Sequence, residues 1–312
     1  VVVPCYRVRA HILEVIRGIG PEVQRIYVVD DACPEGSGRM VAAECKDQRV
    51  RILYHERNQG VGGAMVTGYR QALEDGMDIA VKIDGDGQMD ARLIPKFLHP
   101  LVTGDADYTK GNRFFDPRFL RTMPRLRLFG NAVLSFVSKF STGYWNLMDP
   151  TNGYTAIHRK ALELVPLDRL ARDYYFESDM LFRLNTIRAV VREVPMPAIY
   201  GEEKSNLKIH RVLFSFPRLH LNRLFKRIFY NYFLRDFNVG SIALLSGSLL
   251  TGFGVLFGGY HWVDAILHDY SNSTGTVMVA ALPILLGVQF LLFFLQQDIT
   301  SMPSVSLQKT LP

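Results

Sequence analysis

Residues 239–260 contain no charged side chain, and a helix of that length crosses the roughly 30 Å hydrocarbon core of a bilayer. Residues 277–295 form a second such run, with Gln289 as the strongly polar interruption. Neither run has the polar face that a surface helix of a soluble domain carries, so the pair is predicted to be a transmembrane hairpin rather than a buried core hairpin. Lys226, Arg227 and Arg235 precede the first run, whereas residues 261–276 hold no Lys or Arg. That asymmetry predicts that the N-terminal domain and the tail after the second run face the cytoplasm. Gly254 and Gly258 form a small-x-x-x-small pair. The pair suits close approach of the two spans to each other, with homo-oligomerisation left open.

Upstream, Leu221, Leu224, Phe225, Ile228, Phe229 and Tyr232 recur at helical spacing with Arg223, Lys226 and Arg227 on other faces. This is the pattern of a basic amphipathic helix lying in a membrane interface. Leu126, Phe129, Val133, Phe136, Val137 and Phe140 repeat it behind Arg125 and Arg127; for both segments a core helix is the alternative. The basic residues behind the net charge of +6 cluster in residues 113–127 and 204–235. Such clusters suit anionic lipid, nucleic acid or a phosphorylated substrate, and charge does not choose among them. Cys5, Cys33 and Cys45 form no C-x-x-C pair and no zinc set with the histidines, so reduced cytosolic thiols are expected. The chain opens on Val1-Val2-Val3 with no signal or transit peptide and no initiator Met, from which a few further native residues upstream are expected.

Residues 1–111 alternate short β-branched runs with helical patterns. The strand candidates are Val1-Val2-Val3, Ile26-Tyr27-Val28-Val29, Arg51-Ile52-Leu53-Tyr54 and Ile79-Ala80-Val81-Lys82-Ile83, with helices at 64–73 and 93–101 among those between and after them. This alternation predicts an α/β domain with a mostly parallel sheet and helices on both faces, whose ligands sit at the carboxyl ends of the strands. Those ends carry Pro4-Cys5-Tyr6, Asp30-Asp31-Ala32 and Asp84-Gly85-Asp86-Gly87-Gln88. Carboxylates gathered on one sheet edge repel unless a cation or donor sits among them. An Asp-Gly-Asp followed by Gln offers hard oxygen ligands to Mg²⁺ or Mn²⁺, with diphosphate oxygens completing the shell. Asn58-Gln59-Gly60-Val61-Gly62-Gly63-Ala64 opens a helix, and its N–H groups suit an anion or a base edge. It is not a dinucleotide-binding fingerprint, because the third glycine falls at Met65 and the loop follows the third strand rather than the first.

Taken together these residues resemble the family 2, GT-A-fold glycosyltransferases, and more narrowly the polyprenyl- and dolichyl-phosphate sugar transferases of the dolichol-phosphate mannosyltransferase type. The matching residues are the strand ends just given, Asn58-x-Gly60, Lys110-Gly111-Asn112-Arg113, Asp149-Pro150-Thr151-Asn152-Gly153-Tyr154, Phe176-Glu177-Ser178-Asp179, Val194-Pro195 and Tyr200-Gly201-Glu202-Glu203-Lys204-Ser205. The likeness runs from residue 1 to about 210. It divides the chain into a cytosolic GT-A domain (1–210), a basic amphipathic juxtamembrane segment (211–236) and a two-helix anchor with a cytoplasmic tail (237–312). The resemblance implies a nucleotide site of Pro4, Tyr6, Asp31, Asn58, Gly60 and Asp84, with Asp31 on the base and Asp84 near the ribose. It also implies that Asp86 and Gln88 hold the metal on the donor diphosphate, and that Arg113 with Arg125 or Arg127 holds an acceptor phosphate. Cys33, Glu35 and Gly87 depart from the residues the family often carries there (Ser, Asp and Leu), which bears on base identity more than on reaction type. Glu177 and Asp179 are either site carboxylates that orient the acceptor or the sugar, with Asp179 nearer the family's acidic position, or helix N-terminal charges favoured by the macrodipole.

The implied reaction is metal-dependent, inverting transfer of one sugar from a UDP- or GDP-sugar to a membrane polyprenyl phosphate, with Asp86, Arg113 and Asp179 as the catalytic candidates. A lipid phosphate is already anionic and needs no general base, but it does need positive charge and in-line alignment. Arginine forks supply both. The expected protein is an integral membrane enzyme with its catalytic domain on the cytoplasmic face of a bacterial or archaeal membrane or of the endoplasmic reticulum, with no nucleic-acid partner. The rivals are a polysaccharide-synthase-like enzyme using a hydroxyl acceptor, with Asp179 as general base, and a non-catalytic membrane scaffold. A processive synthase's Q-x-x-R-W motif does not occur.

Overall fold

In a computed structural model of the chain, which describes residues 1–116, 125–197 and 209–311 (the backbone alone for 125–129 and 209–215), the four β-branched runs form strands. These are β1 (Val2–Cys5), β2 (Ile26–Asp30), β3 (Val50–Tyr54) and β4 (Ile79–Lys82). Three more strands, β5 (Tyr108–Asn112), β6 (Thr155–His158) and β7 (Val191–Pro195), complete a seven-stranded sheet in the order β3-β2-β1-β4-β6-β5-β7. All neighbours are parallel except β6, which runs against both β4 and β5. Helices α1 (Ile12–Gly18), α2 (Ser37–Glu44), α3 (Gly60–Glu74), α4 (Ile94–Val102), α5 (Arg125–Thr142), α6 (Arg159–Leu164) and α7 (Phe176–Thr186) accompany it. One apolar core gathers Val2, Tyr27, Tyr69 and Phe176. A second gathers Val3, Val28, Ile12 and Phe97. Val2 and Val3 fall in different cores because alternate strand residues point to opposite faces of a sheet. Register aligns Cys5 with Asp30 and Asp30 with Tyr54, so the tips of the first three strands end level on one edge.

The chain forms two compact units, Val1–Phe225 with Pro303–Pro312, and Lys226–Met302. The last residues, grouped with the spans by sequence, thus belong to the first unit. There a short helix α11 (Leu307–Thr310) follows Ser306, whose hydroxyl donates to the Gly104 carbonyl at 2.7 Å. The Leu307 N–H donates to the buried Asp107 carboxylate at 2.9 and 3.0 Å, and its side chain enters the first core. Sequence alone gave no sign of this return, because one Leu among polar residues carries no periodicity.

Helix α8 (Ile209–Phe229) reverses the usual partition. Its polar side chains His220 and Arg227 are buried, while Leu221, Phe225 and Phe229 are exposed. Within the first unit His220 Nδ1 lies 2.7 Å from Ser141 Oγ, and the Arg223 guanidinium stacks 5.0 Å from the Phe182 ring centre. A helix of a soluble core does the opposite. The 204–208 part of the basic cluster, and the Tyr200–Ser205 motif, lie outside the described residues.

In the second unit, helices α9 (Val239–Leu267) and α10 (Thr274–Thr300) are long and apolar enough to cross a membrane. At 29 residues α9 extends roughly 43 Å. An Asn238 capping box starts it, with the Asn238 carboxamide oxygen accepting from Gly240 N at 2.8 Å and Ser241 Oγ accepting from Asn238 N at 3.1 Å. A Cβ on Gly254 would stand 2.6 Å from the Ala280 carbonyl oxygen, so this glycine lets the two helices touch backbone to backbone. Arg227, like Arg223, departs from the expectation for the juxtamembrane cluster. Rather than facing solvent or lipid, its guanidinium forks onto Asp298 at 2.6 and 2.9 Å, and Tyr232 donates to the same carboxylate at 2.9 Å. Its charge is therefore spent inside the unit, and the orientation argument rests on Lys226 and Arg235.

Two outcomes are expected. Leu307→Ala costs about 2–4 kcal/mol through the lost burial and the cavity it leaves, read as a lower midpoint in thermal unfolding of the first unit. Burial lowers the His220 pKa from 6.5 to about 4. The unfolded chain therefore binds a proton that the folded chain does not across that window, so stability falls as pH drops from 6.5 towards 4. His220→Gln should flatten that part of the stability–pH curve.

Candidate active site

At the tip of β2 the two aspartates have separate tasks. Asp30 accepts from the Cys33 and Gly38 N–H groups at 2.7 and 2.8 Å and fixes the turn into α2. Asp31, also buried, accepts from the N–H groups of Gln59 at 2.7 Å and Gly60 at 2.8 Å, and lies 2.7 Å from His55 Nδ1. The Asn58 carboxamide donates to the Asp31 carbonyl at 3.2 Å, and the Gly62 N–H to the Arg172 carbonyl at 2.9 Å. Gly60 has φ +80°, and a Cβ on it or on Gly62 would run into the carbonyl oxygens of Arg172 and Ala171. The glycines therefore serve close backbone packing. Of the N–H groups that the sequence offers to an anion, those of Gln59, Gly60 and Gly62 are taken by Asp31 and Arg172. Beside this knot, Pro4 is half-buried and Tyr6 exposed at the end of β1, with the Arg7 guanidinium 5.5 Å from the Tyr6 ring centre.

Ile83 N donates to the Val2 carbonyl at 3.1 Å, and the chain then leaves the sheet as Asp84-Gly85-Asp86-Gly87-Gln88. Gly87, at φ +78°, supplies the left-handed step of this turn, and Asp86 Oδ1 accepts from the Gln88 N–H at 3.0 Å. Behind the turn the Lys82 ammonium is buried, 2.7 Å from Asp84 Oδ1, 3.3 Å from Glu177 Oε1 and 3.2 Å from the Gly153 carbonyl. Burial alone would lower its pKa, but the Asp84 and Glu177 carboxylates outweigh burial and hold it above the ordinary lysine value. Among the described residues no group of three or more His, Cys, Asp or Glu side chains converges on a metal position. The oxygens that a cation at this turn would use are those of Asp86 and Gln88, Asp84 being bonded to Lys82. That set of hard oxygens fits a Mg²⁺- or Mn²⁺-type ion that draws its remaining ligands from phosphate and water.

The loop before β6 links this tip to Arg113. The Lys110 ammonium donates to the Asn152 carbonyl, and burial pushes its pKa down to about 8 despite the nearby Glu177 and Asp149 carboxylates. Arg113, at the end of β5, forks onto Asp149 through Nε at 2.7 Å and Nη2 at 2.9 Å, with side-chain exposures of 26% for Arg113 and 0% for Asp149. Asn152 Nδ2 also donates to Asp149 at 3.2 Å, and Glu193 accepts from the Asp149 N–H at 2.9 Å. Arg125 and Arg127 begin α5, but their side chains lie outside the description.

Asp179 is fully buried. It accepts from Ala171 N at 2.9 Å and is paired with Arg183 at 3.1 Å and Arg223 at 2.8 Å, an arrangement that ties α8 to α7. Glu177, two residues earlier on the same helix, is the carboxylate brought to the Asp84 tip. Lys82 went unremarked in the sequence reading, although a lysine inside an otherwise apolar strand run was its signal. Asp149 and Lys110 were recognised as parts of motifs without a task.

With this geometry in view, residues 1–165 match the model of glycosyl transferase family 2. The chain belongs to that family, and its fold is the GT-A fold. It is 34% identical over 154 residues to UDP-N-acetylglucosamine–dolichyl-phosphate N-acetylglucosaminyltransferase of Methanococcus voltae, covering 49% of this chain and 61% of that one. The match thus spans less than two thirds of that relative. It is 31% identical over 179 residues to undecaprenyl-phosphate mannosyltransferase of Micrococcus luteus, covering 57% and 72%. Glucosyl-3-phosphoglycerate synthase of Mycobacterium tuberculosis, solved with Mn²⁺, UDP and glucosyl-3-phosphoglycerate, superposes with a TM-score of 0.52 at 19% identity over 72% of this chain and 77% of that one.

Removing Arg113 orphans the buried Asp149 charge. Arg113→Ala should therefore lower stability by about 3 kcal/mol, the low end for a broken buried pair because a quarter of the arginine is exposed. Adding Asp149→Asn should recover much of that loss in denaturant titration.

Proposed function

We propose that this chain transfers one sugar from a nucleotide diphosphate sugar to a membrane polyprenyl phosphate. The observation that carries the reading is the joining of two sites by one loop. Residues 149–153 connect the Asp84–Gln88 turn, through Lys82, to Arg113, in a chain that also has two helices able to cross a bilayer. The two relatives differ in the sugar they are named for, and both are named for a polyprenyl-type phosphate acceptor, which favours that acceptor class over any one sugar. A UDP-linked donor is preferred over a GDP-linked one, on the name of the Methanococcus voltae relative.

In this reading the base and ribose lie at the ends of β1, β2 and β4, near Tyr6, the Asp31–Asn58–Gly60 knot and Asp84. Asp86 and Gln88 would hold a divalent cation, which when bound supplies positive charge to the departing nucleotide diphosphate. Arg113, held in place by Asp149, presents its planar cation to the acceptor phosphate together with Arg125 or Arg127. An anionic phosphate attacks without a base, so the chain's task is to offset charge and align the reactants. The hydroxyl-acceptor alternative would need a carboxylate open to the acceptor, and Asp179 is enclosed by two arginines. Lys226 and Arg235 favour the cytoplasmic face of the membrane for the catalytic unit and the tail. The return of residues 303–312 to the first unit supports a hairpin with both ends on one side.

Incubating the purified full chain in lipid with polyprenyl phosphate and radiolabelled UDP- or GDP-sugar should yield a lipid product that releases its sugar in mild acid. Asp86→Ala should abolish it. A labelled product without lipid phosphate, or undiminished transfer by Asp86→Ala, would contradict the reading.

A further inference from the structure

The Lys82 ammonium is where three separate segments meet: the β4 tip, the first turn of α7 and the loop before β6. Exposure rises outward from it, 1% for Lys82, 13% for Glu177 and 30% for Asp84, so the cation is a floor and the two carboxylates form a rim. Gly153 completes the enclosure, because a Cβ there would stand 2.6 Å from Lys82 Nζ and 2.8 Å from Asp84 Oδ2. Without the ammonium, two carboxylates from different elements would repel each other across a poorly solvated gap.

We propose that Lys82 is a positioning residue of the donor site, holding Asp84 and Glu177 around one cleft, and that Glu177 accepts hydrogen bonds from hydroxyls of the transferred sugar. This inference rests on the donor-site reading above. A nucleotide diphosphate sugar offers base, ribose, diphosphate and sugar. Glu177 comes from α7, apart from the Asp86–Gln88 turn assigned to the diphosphate, and a carboxylate away from that turn would repel the anion. It suits a neutral polyol, whose hydroxyls donate charge-assisted hydrogen bonds to it. Asp179, two residues on, has no such freedom because Arg183 and Arg223 take it.

The test compares binding of UDP with UDP-N-acetylglucosamine, and of GDP with GDP-mannose, by the full chain in detergent with Mn²⁺. Glu177→Gln should weaken the nucleotide-sugar by about tenfold or more and leave the bare nucleotide within about twofold. Lys82→Met should weaken both, and adding Glu177→Gln to it should cost less than about twofold more, since coupled residues are not additive. Lys82→Arg, which keeps the charge, should restore much of the loss. Equal effects of Glu177→Gln on nucleotide and nucleotide-sugar, or no effect, would overturn the sugar role. Independent, multiplying effects of the two substitutions would overturn the positioning role. If Lys82→Met does not fold, Glu177→Gln still decides the first point and Lys82→Arg the second, whose loss of binding in a folded protein would count against positioning by charge. A wild-type chain that binds no nucleotide would instead remove the donor-site reading itself, a result distinct from either.

Discussion

Carboxylates crowd this site, and while Asp30 and Asp31 are held by backbone N–H groups, others are balanced by cations built into the chain. Lys82 stands between Asp84 and Glu177, Arg113 against Asp149, and Arg183 with Arg223 around Asp179. A buried charge is tolerated when it is paired and hydrogen-bonded, and breaking such a pair costs more than the pair contributes. The balance therefore fixes geometry as well as charge. The Gly153 and Asn152 carbonyls both accept from buried lysines, so one short loop cannot move without disturbing both ends of the site. The proposed reaction, which holds a diphosphate and an anionic acceptor close together, would benefit from walls that do not shift as charge moves between them.

The same logic reaches the membrane-proximal part of the chain. Arg223 joins α8 to α7 through Asp179, and four residues later Arg227 joins the end of α8 to α10 through Asp298. Arg223 and Arg227 thus point into the protein, and the aromatic and aliphatic residues Leu221, Phe225 and Phe229 are left exposed. An exposed apolar stripe of this kind is the surface that a lipid interface satisfies.

Much of this was legible in the sequence, for identifiable reasons. Strands β1 to β4 are continuous β-branched runs, and the acidic residues stand immediately after them, so the parallel sheet and its ligand edge follow from period and position. Strands β5 and β6 contain Lys110 and Thr155 at buried positions and show no such run, so β5 surfaced only within a motif and β6 not at all. What pattern reading does not reach is which partner a side chain takes. Asp31, Asn58 and Gly60 were read toward a nucleotide, and their hydrogen bonds run largely among themselves. Glu177 and Asp179 look equivalent on a helix N-terminus, yet the turn of α7 delivers one to Lys82 and the other to two arginines. The docking of Leu307 depends on a contact across 200 residues, which no local pattern encodes.

The central claim is that the Asp84–Gln88 turn is a metal-assisted nucleotide diphosphate site. Calorimetric titration of the full-length protein with UDP and GDP, each with and without Mn²⁺, tests it directly. The account predicts binding of one nucleotide class that requires the metal and is lost in Asp86→Ala. Binding that ignores both the metal and the substitution, or no binding at all, would contradict it.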